Sequence, residues 1–521
     1  MVGDCVREIF MSESRTKNTV RNLYWGTWAK FITILTPFIT RTAMIYVLGM
    51  RYVGLDSLFV SVLNVLSLAE AGFGEALVFS MYEPMAKHDV KVINALLAFY
   101  RKCYRIIGIV ILVLGICMLP FLDFLVKGDV PAEVNMRILF CIHLLNTVIG
   151  YFTFAYRGSI FQAQQRVDIS KRITLLIKIV SSIIQTILLI TYRNYYVYIL
   201  VGPLATIAQN LLVANVAKKQ YPEFYCEGTI KREEKKEIEN KVAGLVFQKI
   251  GNIVLSSVDT VVISIFLGLE VLGIYNGYYY VIIALVGFIT VIENAMIPSI
   301  GNSIVMENKE KNYSDFRKFH FLIIWILTWW SACLLCLFQP FMELWQGKEN
   351  MLSFGMVILF CLYFYLHHAG DITYMYKEAA GIWWEGRYYA LLAAIENLIL
   401  NIILLQIIGL PGILISTIVA LITVHTPYGS WILFKHYLGV KKKYALYLKR
   451  MFLYLVIAVL ISFFTYVVCI AVPIKNLWFQ LLIRGGICII SPNLMFITCY
   501  WRLDDFQEAW KYVTRVIRKR G

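Results

Sequence analysis

The sequence predicts an all-α integral membrane protein of about 14 spanning helices, and three observations carry that expectation. Of its 521 residues, 59% are hydrophobic and only 16% are charged, whereas a soluble chain needs charge on about a quarter of its residues. The apolar residues come in near-continuous blocks such as Ile106 to Leu119, Leu175 to Ile190, Val197 to Val216 and Tyr454 to Val472. Blocks of about 20 residues, rising about 1.5 Å each, match a hydrocarbon core of about 30 Å. They lack the polar stripe of a water-facing helix. The third observation is that Lys and Arg segregate to alternate connections.

Taken in order, the spans are expected near 25–49, 55–80, 105–126, 136–156, 173–191, 196–217, 244–267, 273–300, 318–339, 352–376, 388–408, 411–434, 450–471 and 477–499. Met1 to Arg21 is polar and basic with no apolar h-region, so the first helix is its own insertion signal. One set of connections carries Arg15, Lys17, Arg21 and Lys30, then Lys87, Lys91, Arg101 and Lys102, then Arg157, Arg166, Lys171 and Arg172. It continues through Lys218 to Lys249, Lys309 to Lys318, Lys441 to Arg450 and Arg515 to Arg520. The other set holds only Arg51, Lys127, Arg193, Lys348 and Lys475. The positive-inside rule makes the basic side cytoplasmic, with both termini on it and an even helix number. The net charge of +16 then reflects topology and attraction to anionic lipid headgroups, and needs no nucleic acid.

Residues 1–21 are read as a cytoplasmic segment and 22–217 as a first lobe of six helices. Residues 218–243 form a charged linker holding Pro222, Gly228 and the run Lys231 to Glu237. A second lobe follows at 244–434, then two extra helices over 435–499. The tail 500–521 is basic and amphipathic, with Phe506, Trp510, Tyr512, Val513 and Val516, and is expected on the cytoplasmic membrane surface.

A repeat links the lobes. Tyr46-Val47-Leu48-Gly49 followed by Gly54-Leu55 corresponds to Ile265-Phe266-Leu267-Gly268 followed by Gly273-Ile274. Each marks a tight hairpin leading into a long helix that carries acids, Glu70 and Glu75 in one copy and Glu293 in the other. Parallel six-helix repeats are a transporter architecture with the substrate path between them.

Several ionisable residues lie inside apolar spans, where charge is costly and marks function by default. Arg41 sits about 12 Å from the hairpin end of the first helix, one turn after Pro37, which frees the Thr33 carbonyl. In the repeat frame it corresponds to Thr260, beside Asp259. Two readings stay open: Arg41 and Asp259 serve an anionic substrate, or they form a salt bridge locking the lobes. Lys178 and Arg484 are further candidate substrate contacts. Glu70, Glu75, Glu293, Asp371 and Glu396, with His367 and His368 nearby, are candidates for a gate, for coupling to a cation, or for simple interfacial pairing.

No Walker A, H-E-x-x-H, G-x-S-x-G or acidic metal triplet appears, so the reading is secondary transport rather than an enzyme, without cofactor or metal. The 11 Cys residues are scattered. Cys333-x-x-Cys336 lies mid-helix with no second pair and no His at ligand spacing, so these cysteines read as small buried hydrophobes.

The stretch Asn22 to Glu83, with Arg41, Leu48-Gly49, Gly54-Leu55 and Glu70-Ala71-Gly72-Phe73-Gly74, resembles the start of Wzx-type polysaccharide flippases. These sit with the MATE drug exporters and the lipid II flippase in one superfamily. The resemblance implies two six-helix bundles around a central cavity, and movement of an undecaprenyl-pyrophosphate-linked oligosaccharide across a bacterial cytoplasmic membrane. It also implies membrane lipids, a polysaccharide polymerase and glycosyltransferases as partners. Cation-coupled drug export is the first alternative. A membrane glycan polymerase or ligase is a second, but it would carry a larger outer loop than Gln339 to Met351.

Overall fold

The computed structural model describes residues 25–518 apart from 27, 71, 129, 231, 383 and 440. The N-terminal segment 1–21, Ala71 of the first motif, Lys231 of the linker and tail residues 519–521 therefore lie outside the described residues. Regular structure among the described residues is helical throughout. Twelve of these helices are long and apolar enough to cross a membrane, or 13 when the bent pair Met136–Phe152 and Ala155–Ala163 counts as one span. Residues 28–47 form a further helix, α1, at the place of the first expected span; the sequence expectation is about 14. Large apolar side chains such as Ile109, Val113, Ile187, Phe463 and Leu482 stay exposed. An apolar surface of that extent is tolerated only against lipid, and the chain is a multi-pass membrane protein.

The chain divides into two compact units, Met1–Gly273 and Ile274–Gly521. In the first, α1 is followed by α2 (Met50–Leu66), α3 (Phe73–Ala86), α4 (Val90–Met118), α5 (Met136–Phe152), α6 (Gly158–Ala163), α7 (Val167–Tyr192), α8 (Tyr195–Gln220) and α9 (Arg232–Leu267). The division falls after α9, one helix later than the charged linker. On α9, Ser264 donates to the Leu125 carbonyl at 2.7 Å, and its own carbonyl accepts from the Lys127 amide at 3.0 Å. These bonds tie the helix to the first unit.

Helices overrun the apolar windows because charged residues extend them beyond the hydrocarbon. α4 starts at Val90, capped by the Asp89 carboxylate, which accepts from the Val92 amide at 3.1 Å. α9 begins inside the charged run, so the connector is mostly helical. The span expected over 55–80 is instead broken. α2 tightens into a 3₁₀ turn at Ser67–Glu70, Gly72 takes a φ of 78°, and α3 restarts at Phe73. Glycine alone enters that left-handed region without strain.

The two repeat hairpins meet inside the first unit. A Cβ on Gly54 would lie 2.0 Å from the Leu269 carbonyl oxygen, and one on Gly273 2.2 Å from that of Met50. Gly54 and Gly273 are repeat partners, and so are Met50 and Leu269. Arg51 and Glu270, a third such pair, bond at 3.2 Å. Each hairpin thus presents the same positions to the other, the reciprocal pattern of a local two-fold contact.

α10 (Leu269–Met306) runs on into the second unit. There follow α11 (Lys309–Gln346), α12 (Phe354–Ala369), α13 (Asp371–Ala379), α14 (Tyr389–Ile408), α15 (Pro411–Ala420), α16 (Thr426–Leu433), α17 (Lys441–Ile470), α18 (Leu477–Tyr500) and α19 (Asp504–Arg518). The span expected over 352–376 breaks at Gly370, and π turns at Leu421–His425 and Phe434–Leu438 flank α16. α19, expected on the membrane surface, packs against its own unit. Phe506 and Ala509 are buried, and Asp505 pairs with Arg317 of α11 and Arg450 of α17.

Candidate functional site

The break between α2 and α3 opens a polar cavity in the first unit. Because the chain turns at Gly72, Glu70 faces α4 and α5, and its carboxylate accepts from the Tyr104 hydroxyl at 2.6 Å and the Tyr151 hydroxyl at 2.5 Å. Tyr100 donates in turn to Tyr104 at 3.1 Å. One turn into α3, Glu75 bonds Lys249 of α9 at 2.6 Å. Glu70, Glu75, Tyr100, Tyr104 and Lys249, with Asn64, Ser67 and Gln162, line a cavity of about 460 Å³. Gly74 keeps it open, since a Cβ there would lie 2.8 Å from the Tyr100 hydroxyl. The Lys249–Glu75 pair is partly exposed, and such pairs contribute at most about 1 kcal/mol. Stability does not account for it. The cavity offers carboxylates, an ammonium, hydroxyls and amides together, a donor and acceptor set suited to a polyhydroxylated or cationic group.

A second polar cluster lies toward the hairpin end of α1 and α2. Arg41 donates to Ser57 at 3.3 Å; the two are equidistant in sequence from Gly49, so antiparallel helices bring them level. The Asp56 carboxylate accepts from the Tyr195 hydroxyl at 3.2 Å and lies 3.8 Å from the His143 Nε2. Thr33, Thr36 and Thr42 return their hydroxyls to carbonyls one turn back on α1, so these hydroxyls are satisfied within their own helix. Asp259 is half-buried on α9, and Lys178 is half-buried midway along α7.

The second unit carries its own buried polar cluster. Asp371 opens α13 just past the Gly370 break, 2.6 Å from the His368 Nδ1. Glu293 on α10 is its electrostatic neighbour. His367 stacks on His425, which sits in the π turn, with ring centres 6.1 Å apart. π turns of this kind recur at functional sites. Glu396 stands apart, accepting from Thr423 at 2.8 Å. Arg484 on α18 donates to the Cys336 carbonyl at 3.3 Å.

The structure therefore joins Glu70 with Glu75, and Glu293 with Asp371, as two separate groups. Sequence reasoning missed Asp56, His143, Tyr104, Tyr151 and the particular role of Lys249. Asp56 had a readable signal, a carboxylate two residues past the hairpin Gly54 and level with Arg41. The tyrosines had none, because amphipathic aromatics are ordinary in membrane helices.

The sequence profile of the family described as "Polysaccharide biosynthesis protein" matches residues 19–303. Among solved structures, the lipid II flippase MurJ in an inward closed conformation aligns with a TM-score of 0.63 at 16% identity, covering 92% of this chain and 99% of that one. An inward-facing multidrug resistance MATE family transporter aligns at 0.57 and 15% identity, over 75% of this chain and 93% of its own. A MOP superfamily transporter from Pyrococcus furiosus aligns at 0.55 and 14% identity, over 80% and 95%. No curated protein matches the chain.

Proposed function

The chain belongs to the polysaccharide biosynthesis protein family, and from that premise we propose that it flips an undecaprenyl-pyrophosphate-linked oligosaccharide across the bacterial cytoplasmic membrane by alternating access. The family match over more than half the chain carries this reading. Arg41 supplies an intramembrane cation for the pyrophosphate. The cavity around Glu70, Tyr104 and Gln162 supplies hydrogen-bond partners for sugar hydroxyls, while the prenyl tail stays in lipid. Both termini face the cytoplasm, as the basic connections require, and the glycosyltransferases and polymerase act before and after the flip. The driving force is an ion gradient or the membrane potential, acting through the Glu293–Asp371 pair.

The fold likeness to multidrug transporters favours one rival, cation-coupled drug export. A leaflet-protection assay of labelled lipid-linked glycan in cells lacking the protein separates the two. The flippase reading expects glycan retained in the inner leaflet and restored by the wild type but not by Arg41→Ala. Sensitivity to cationic dyes with normal surface glycan would instead establish drug export.

A further inference from the structure

Three cysteines distant in sequence converge in the second unit. Cys336 on α11, Cys469 on α17 and Cys488 on α18 are 0%, 0% and 1% exposed, and their sulfurs all lie within 4.8 Å of one another. All three are free thiols. Arg484, one turn before Cys488, acts electrostatically on Cys469. Its Nε is buried without a hydrogen-bond partner among the described residues. We propose that these three thiols form a binding site for a soft monovalent cation, Cu(I).

Packing explains one or two buried cysteines as small hydrophobes. It does not explain three sulfurs from three helices meeting beside a guanidinium, which is costly to hold in lipid. An ion bonded to each sulfur at about 2.3 Å needs sulfurs about 4 Å apart, so a movement below 1 Å or so closes the site. Thiolates select soft ions, Cu(I) among them. Structural zinc takes a fourth protein ligand, and the ligand group among the described residues has three members. Charge points the same way. On binding, two of the three thiols release their protons to solvent. Two thiolates, one thiol and Cu(I) then sum to a single negative charge, which the Arg484 guanidinium offsets, so the buried site carries no net charge. Cys333, one turn from Cys336 and half-buried, points its sulfur at the Cys488 carbonyl at 3.9 Å and stands where an entering ion could be handed inward.

The test titrates the purified full chain in nanodiscs with Cu(I) buffered by bathocuproine disulfonate. One Cu(I) per chain is expected, with an X-ray absorption spectrum of three sulfur neighbours. Cys336→Ser, Cys469→Ser and Cys488→Ser should each abolish stoichiometric binding, whereas Cys361→Ser, at a buried cysteine elsewhere, should not change it. Arg484→Gln should weaken binding roughly tenfold to a hundredfold, and Arg484→Lys should restore most of it. Cys→Ala at the same three positions, checked for a monodisperse elution profile, separates lost binding from lost folding. No copper withdrawn by the wild type, copper retained after all three replacements, or equal retention of zinc would each overturn the assignment.

Discussion

Replacing Gly54 by Ala places a methyl carbon 2.0 Å from the Leu269 carbonyl oxygen, where real Cβ contacts do not fall below 3.0 Å. The two hairpins must then part by about 1 Å, and because the obstacle is backbone, no rotamer relieves it. Overpacking of this kind costs about 1–3 kcal/mol, which lowers the population of the packed arrangement roughly 5- to 150-fold. The Arg51–Glu270 pair at the same contact is 54% and 57% exposed, so it contributes at most about 1 kcal/mol. Gly54→Ala should therefore loosen the hairpins where Arg51→Ala barely does. Gly273→Ala, its counterpart, should act alike. The double substitution should do less than the sum, since the first has already separated the backbones. Hydrogen-exchange mass spectrometry of peptides covering the hairpins near residues 49 and 268 reads this directly. Faster exchange confined to both hairpins, with transport impaired, is the expected outcome. Unchanged exchange in Gly54→Ala, or an effect of Arg51→Ala as large, would refute the reasoning.

Three further outcomes are expected. Glu70→Gln removes the charge from two short hydrogen bonds, each worth about 1.5–3 kcal/mol when charge-assisted. Lipid-linked glycan transport should fall more than in Tyr151→Phe, which leaves Tyr104 in place; equal transport by Glu70→Gln and wild type would count against the cavity. Reversing the Lys249–Glu75 pair by Lys249→Glu with Glu75→Lys should restore part of the surface glycan lost in Lys249→Glu alone, with little change in melting temperature in any of the three. Asp505→Asn leaves Arg317 and Arg450 without their carboxylate, a loss of about 1–3 kcal/mol. It should release α19, measured as faster proteolysis after residue 504 while the transmembrane body stays intact.

The all-helical membrane class, the hairpins and the repeat were legible because each rests on local chemistry: apolar length, basic connections and glycines at fixed spacing. The offset between Gly54 and Gly273 even identified the positions that touch, although nothing in the sequence indicated that they touch one another. Helix limits were less legible. Hydropathy marks where the hydrocarbon ends, whereas α4 and α9 continue into charged residues that water solvates equally well. The Cys336 cluster was invisible, because its other sulfurs come from two helices far along the chain, and a C-x-x-C pattern signals only what lies within one turn. The docking of the tail helix was not legible either, since Asp505 finds its arginines only in the tertiary structure.

Breaks in the helices coincide with the titratable groups, and the coincidence has a physical reason. Backbone that leaves the helix within a bilayer must find partners in the protein or in a wet cavity, so each break forces a polar lining around itself. Glu70 precedes the Gly72 turn, Asp371 follows the Gly370 break, and His425 occupies a π turn. Arg41 differs: its helix runs unbroken through Pro37, with threonine hydroxyls bonding back along it. The broken helices can alter their geometry at those turns with few ladder hydrogen bonds to lose, whereas α1 holds Arg41 in one place. Under the flippase reading proposed above, that division would leave a fixed cation on a continuous helix to hold the anion while the carboxylates beside the breaks rearrange.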